Sequence, residues 1–234
     1  MTTQKKKPFY KRWWFIMIVG VFLLGAIASS GSDDDETEQV SIDPVQQVTS
    51  ENKDQESKEK DSKVEEAPKI KTYKDGTYLV GKDIAAGLYK VILTDNIIKM
   101  GYIERAKDVT LDFDSIIANI LLTGDGYVEI KDTDVAVKLQ GVEIYLVDIS
   151  KLEKDLKTEI SDGIFLVGID ISPGTYKVEV TDNVSGMAYV ERAKNVSMGF
   201  DDIIANELFQ GQGYVKVLEG DFAVKVQGAK LILQ

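Results

Sequence analysis

The sequence predicts a mainly β protein, with two tandem small β-sandwich or barrel modules following an N-terminal transmembrane helix and a disordered stalk. Three features predict it: a long internal repeat, apolar residues recurring at a period of two within each repeat, and one apolar run near the N-terminus followed by a polar stretch.

An internal repeat divides the chain. Shifting the sequence by 87 residues aligns Asp75–Val147 with Asp162–Gln234 without a gap, with roughly 39 identities in about 73 positions. The blocks DGTYLVGKDIAAGLYKV, GYIERAK, IIAN and DTDVAVKLQG return as DGIFLVGIDISPGTYKV, AYVERAK, IIAN and EGDFAVKVQG. Repeat 1 is assigned to 73–147 and repeat 2 to 162–234.

Within a repeat the period is close to two. Val135, Val137 and Leu139 alternate with Ala136, Lys138 and Gln140, and Phe222, Val224 and Val226 alternate likewise in repeat 2. That spacing puts one face of a strand toward a core. Gly87–Val91, Tyr102–Glu104 and Tyr127–Ile130 read as further strands, separated by Gly, Asp and Asn turn signals, and Ile116–Asn119 is assigned to a strand. Seven or eight short strands per repeat make a small sandwich or barrel.

The N-terminal third has a different character. Residues 1–12 carry five cations and no acid; removing them from a net charge of -11 leaves -16 for the remainder. Residues 13–30 hold the run WWFIMIVGVFLLGAIA, long enough for a short membrane anchor with cations before it and Asp33–Asp35 after it. The charge asymmetry predicts a single pass with a cytoplasmic N-terminus and extracellular repeats. The alternative is a signal segment cleaved after Ala28, since Ala26-Ile27-Ala28 fits a small-x-small site. Residues 31–72 are acidic and nearly free of aromatic residues, and are expected to form a disordered linker spanning roughly 35 Å or more. Residues 148–161 join the repeats. Ser150 and Glu153 have capping-box spacing, and Leu152, Leu156 and Ile160 recur every four residues, which predicts a short amphipathic helix packing the repeats together.

Composition removes several function classes. The absence of Cys excludes disulfides, thiolate catalysis and lipidation at an N-terminal Cys, and the absence of His removes the commonest general base and zinc ligand. The acidic body lacks the basic face a nucleic-acid binder needs. No cofactor, metal or catalytic residue is assigned. The chain is expected not to be an enzyme, with a carboxylate-based hydrolase as the minority reading. Asp125, Asp132 and Asp134 place oxygen ligands near turns, as a calcium site needs, but they lack EF-hand spacing.

The blocks Gly76–Tyr89, Tyr102–Arg105, Ile116–Asn119 and Asp134–Gly141, repeated in order, resemble a tandem β-rich domain of secreted or membrane-anchored Gram-positive surface proteins, a family without an assigned activity. The resemblance implies an address at the cell surface. It also implies that Gly101 and Val142, and likewise Ala188 and Ala229, face one another across the core, because relatives carry a cysteine pair there.

The candidate binding residues are Tyr102, Glu104 and Asn119, with Tyr189, Glu191 and Asn206 as their repeat 2 counterparts. Tyr102 and Glu104 share a strand face and Arg105 points the other way. The plain alternative is turn chemistry for the recurring Asp and Asn residues and outward-facing strand charges for the rest. The expected function is a non-catalytic extracellular binding module at the bacterial envelope. Its candidate partners are the membrane, through the N-terminal helix, and a cell-wall polymer or surface protein. The alternative is a structural or accessory subunit of a membrane or surface complex.

Overall fold

The computed structural model describes residues 70–110, 112–181 and 186–234. The basic tail, the anchor and the stalk up to residue 69 lie outside the described residues, among which no helix is long and apolar enough to cross a membrane.

Each repeat is a sandwich of two four-stranded antiparallel sheets. Repeat 1 comprises β1 (Thr72–Tyr73), β2 (Gly76–Leu79), β3 (Gly87–Leu93), β4 (Gly101–Ala106), β5 (Ile116–Leu122), β6 (Gly126–Ile130), β7 (Ala136–Gln140) and β8 (Val142–Leu146). Its sheets run in the order β1-β8-β3-β6 and β2-β7-β4-β5. Repeat 2 comprises β9 (Glu159–Ile160), β10 (Gly163–Leu166), β11 (Gly174–Val180), β12 (Ala188–Ala193), β13 (Ile203–Phe209), β14 (Gly213–Val217), β15 (Ala223–Gln227) and β16 (Ala229–Leu233), in sheets ordered β9-β16-β11-β14 and β10-β15-β12-β13.

Alternation builds the cores as predicted from Val137 onward, while Ala136 and its counterpart Ala223, expected on the outer face, are buried. Val137 and Leu139 are fully buried while Lys138 is half-buried and Gln140 exposed, and Val224 and Val226 repeat the pattern. Val135 departs from it at 44% exposure, because it lies in the turn before β7 and not in the strand. Tyr89 and Tyr176 fill the two cores, each spending its hydroxyl on a backbone carbonyl, Ala85 or Ser172, at 2.8 Å. Burial pushes the Tyr89 hydroxyl up to about 12. Gly101 and Val142 do face one another: a Cβ at Gly101 would stand 2.4 Å from Val142 Cγ1. Ala188 and Ala229 are both buried at the matching positions. A glycine facing a valine and an alanine facing an alanine fill similar space.

The segment joining the repeats is not the expected amphipathic helix. Only Ile149–Lys151 form a 3-10 turn, capped by Asp148, whose Oδ1 accepts from Ser150 N at 3.0 Å. The chain beyond it is extended because its amides are taken elsewhere: Asp155 N donates to Ile169 O at 2.9 Å and Lys157 N to Asp170 O at 2.8 Å. The strands also reach past the expected boundaries. Thr72 pairs with Tyr145, and Glu159–Ile160 pair with Ile232 and Leu231, so each repeat opens with a two-residue edge strand.

The two repeats pack directly, without a helix between them. Ile164, Leu166, Val196 and Ala223 of repeat 2 join the core cluster of repeat 1. Gly124 and Gly126 allow the close approach: a Cβ at Gly124 would lie 2.1 Å from Asp162 O, and one at Gly126 2.8 Å from Ile164 Cβ. Backbone bonds cross the boundary from Ile164 N to Asp125 O and from Glu129 N to Val196 O, both 3.0 Å.

Candidate functional site

In each repeat the candidate Glu and Asn share one row across adjacent strands, and the Tyr lies two residues along the strand from the Glu. Glu104 on β4 lies opposite Asn119 on β5 and Lys138 on β7, and Glu191 on β12 lies opposite Asn206 on β13 and Lys225 on β15. Strand alternation puts Tyr102 on the face of Glu104, and its hydroxyl donates to the Glu104 carboxylate. Asn119 Nδ2 donates to the Tyr102 hydroxyl at 3.3 Å. In repeat 2, Tyr189 donates to Glu191 at 2.5 Å and Asn206 to Tyr189 at 3.1 Å. The ammonium groups of Lys138 and Lys225 sit 5.9 and 5.6 Å from the Tyr102 and Tyr189 ring centroids, within cation–π range.

The electrostatics argue against catalysis by these groups. Burial and the neighbouring carboxylate push both tyrosine hydroxyls well above their ordinary range, so at neutral pH they are donors and not nucleophiles. Burial lowers the Lys225 ammonium, with Glu191 opposing that change. Each row holds a single carboxylate, and Asp202, the other carboxylate lining the crevice beside Glu191, accepts from Asn195 Nδ2 and Ser197 Oγ. Among the described residues no group of three metal-ligating side chains converges. Asp134 and Asp125, two of the calcium candidates, have other duties: Asp134 accepts from Arg105 and Lys131 N, and Asp125 Oδ1 accepts from Leu93 N at 2.8 Å.

Arg105 corrects the expectation of outward-facing strand charges. It is 2% exposed, and its guanidinium forks onto Asp134 through Nε at 2.6 Å and Nη2 at 2.8 Å. Its Nη1 crosses to repeat 2 and donates to Ser197 O. Arg192 and Asp221 form the same fork, where the Arg192 side chain is 16% exposed. Two signals in the sequence point to the pair: Arg105 has the parity of the core residue Ile103, and both Arg–Asp pairs are 29 residues apart. Asp83 and Asp170 do serve turns, their carboxylates accepting from the Leu79 and Leu166 amides four residues away, whereas Asp75 and Asp162 accept from the distant Gly141 and Gly228 amides.

The two rows have different surroundings. Glu191 and Lys225 border a crevice between the repeats, shared with Ile120, Ile164 and Met198, with a volume of about 30 Å³. That admits about one water molecule and not a sugar ring. The matching face of repeat 1, with Thr77 where repeat 2 has Ile164, is not covered by another repeat among the described residues.

Comparison with known proteins adds one finding. Residues 70–143 and 157–230 each match the family model of the Rv1352-like extracellular domain. No curated protein and no solved structure matches the chain.

Proposed function

Because the chain belongs to the Rv1352-like extracellular domain family, we propose that it is a non-catalytic interaction protein of the cell envelope, tethered by residues 13–30, whose fused repeats bind a protein surface through sheet faces. Family membership supports an extracellular address for the repeats, and the family's description names no catalytic activity. The observation that carries the reading is the self-satisfied Tyr–Glu–Asn cluster on a sheet face of each repeat, with a water-sized crevice beside the repeat 2 copy. A small-ligand site is a concave pocket of several hundred Å³. Sheet faces with exposed Ile117 and Leu121 on β5, and Ile204 and Leu208 on β13, suit a protein partner better than a single sugar.

The test uses the full chain on intact cells, with a photoreactive residue replacing Lys138 or Leu208. Discrete protein adducts are expected from both positions. Adducts to wall polymer alone would replace this reading with polymer recognition. The tether is checked in the same cells: the chain should sediment with membranes at its uncleaved mass, whereas a mature N-terminus at Ser29 would make it a secreted protein.

A further inference from the structure

The contact between the repeats is heterologous. Repeat 1 contributes the open edge between β5 and β6, and repeat 2 contributes the outer face of β10, β15 and the loop at residues 194–199. Each repeat contains both surfaces, so each end of the pair keeps one of them unused by this contact. Tyr127 on the used edge is 4% exposed, and its counterpart Tyr214 is 57% exposed. On the opposite end Val109, the counterpart of the 5%-exposed Val196, is 57% exposed.

We propose that these two ends mate between copies, so that the β13/β14 edge of one chain receives the outer β2/β7 face of repeat 1 from a second. The proposal deepens the interaction reading by naming the partner. Three observations point to a second copy.

The first is that both sides of the contact change in step. Ile120, Ile164, Lys225 and Glu191 line one crevice between the repeats, and the 87-residue offset maps them onto Glu207, Thr77, Lys138 and Glu104, the last already holding the Tyr102 hydroxyl. An apolar pair inside the chain thus corresponds, at the free ends, to a carboxylate that would face a hydroxyl and an ammonium. Such complementarity selects the copy-to-copy joint and sets its register. The second is Gly211, where an added Cβ would meet nothing within 4 Å. Its counterpart Gly124 is where the Asp162 carbonyl closes in, and at Gly211 the incoming carbonyl would be that of Asp75. The third is Arg192, which keeps the fork onto Asp221 that positions Arg105 Nη1 toward Ser197 O. Its Nη1 would reach Thr110 O of the second copy. A heterologous contact of this kind does not close on two copies, and it propagates as an open chain or a ring.

The test exploits a protein without cysteine. Glu129 N bonds Val196 O within the chain, so their counterparts Lys216 and Val109, both exposed, would be neighbours across the joint. Full-length protein carrying Val109→Cys and Lys216→Cys is expressed in cells, oxidised mildly and run without reductant. A ladder of disulfide-linked multimers is expected. Either single variant should stay monomeric, and the two co-expressed should give dimers and nothing larger. Adding Glu207→Lys should cut the ladder at least tenfold, and adding Lys138→Glu to that variant should restore it. No ladder, self-dimers of a single variant, or a ladder indifferent to charge reversal would overturn the proposal. The photo-adducts separate the two failures: adducts to a different protein, without a ladder, leave the interaction reading standing and remove self-assembly.

Discussion

Repeat 1 and repeat 2 share a fold, a strand order and most of their residues, yet corresponding side chains differ widely in exposure. Tyr127 and Tyr214 occupy the same place in β6 and β14, at 4% and 57% exposure. Ala118 in β5 is buried, and Ala205 at the same place in β13 is exposed. The cause is the neighbour, since repeat 2 covers the open edge of repeat 1 and nothing among the described residues covers that of repeat 2. A residue's burial here belongs to the pair and not to the module.

The largest expected effect contrasts the two buried ion pairs. Arg105→Ala strands the Asp134 carboxylate, whose side chain is fully buried, and removes a bond to repeat 2, so it should cost about 3–5 kcal/mol in urea unfolding. Arg192→Ala should cost clearly less, because its side chain retains 16% exposure and water can reach the gap. Equal losses would break the comparison.

A gain of similar size is expected from a cross-link. Gly101→Cys with Val142→Cys, and Ala188→Cys with Ala229→Cys, should each oxidise to an intramolecular disulfide and stabilise its repeat by about 2–4 kcal/mol. Free thiols after oxidation in either pair would mean that the two cores are not equivalent there.

Alkali should act on the cores alike. The Tyr89 hydroxyl is raised from 10.0 to about 12, so its folded state holds the proton more tightly than the unfolded chain does. Its contribution, on the order of 2–3 kcal/mol, is complete below pH 10 and is lost as pH rises through about 12. Burial raises Tyr176 as well. Absorbance titration of the tyrosines beside circular dichroism should show ionisation and unfolding together in that window. Ionisation of all tyrosines near pH 10 with the fold intact would contradict the buried positions.

The smallest effect is the sharpest contrast. Gly124→Ala forces a methyl against Asp162 O and should cost ~1–3 kcal/mol, loosening the joint and separating the melting of the two repeats. Gly211→Ala meets open space in the single chain and should be neutral or stabilising by under about 1 kcal/mol. Calorimetry of both variants decides whether the glycines differ as the joint requires.

Much of this was legible in the chain itself. The 87-residue offset marks out two equal modules, the period of two places Val137 and Leu139 inside, and strand parity puts Tyr102 with Glu104 and separates Arg105 from them. These are local properties, set by the backbone's alternation and by composition. The helix read into 148–161 failed because its capping and spacing signals are worth little against amides drawn to carbonyls of the next repeat. The burial of Arg105, the joining of two cores and the difference between Tyr127 and Tyr214 were decided only by tertiary structure. They depend on which surfaces meet between distant parts of the chain, and Tyr127 and Tyr214, the same residue in the same G-Y-V segment, carry no mark in themselves of which one will be covered.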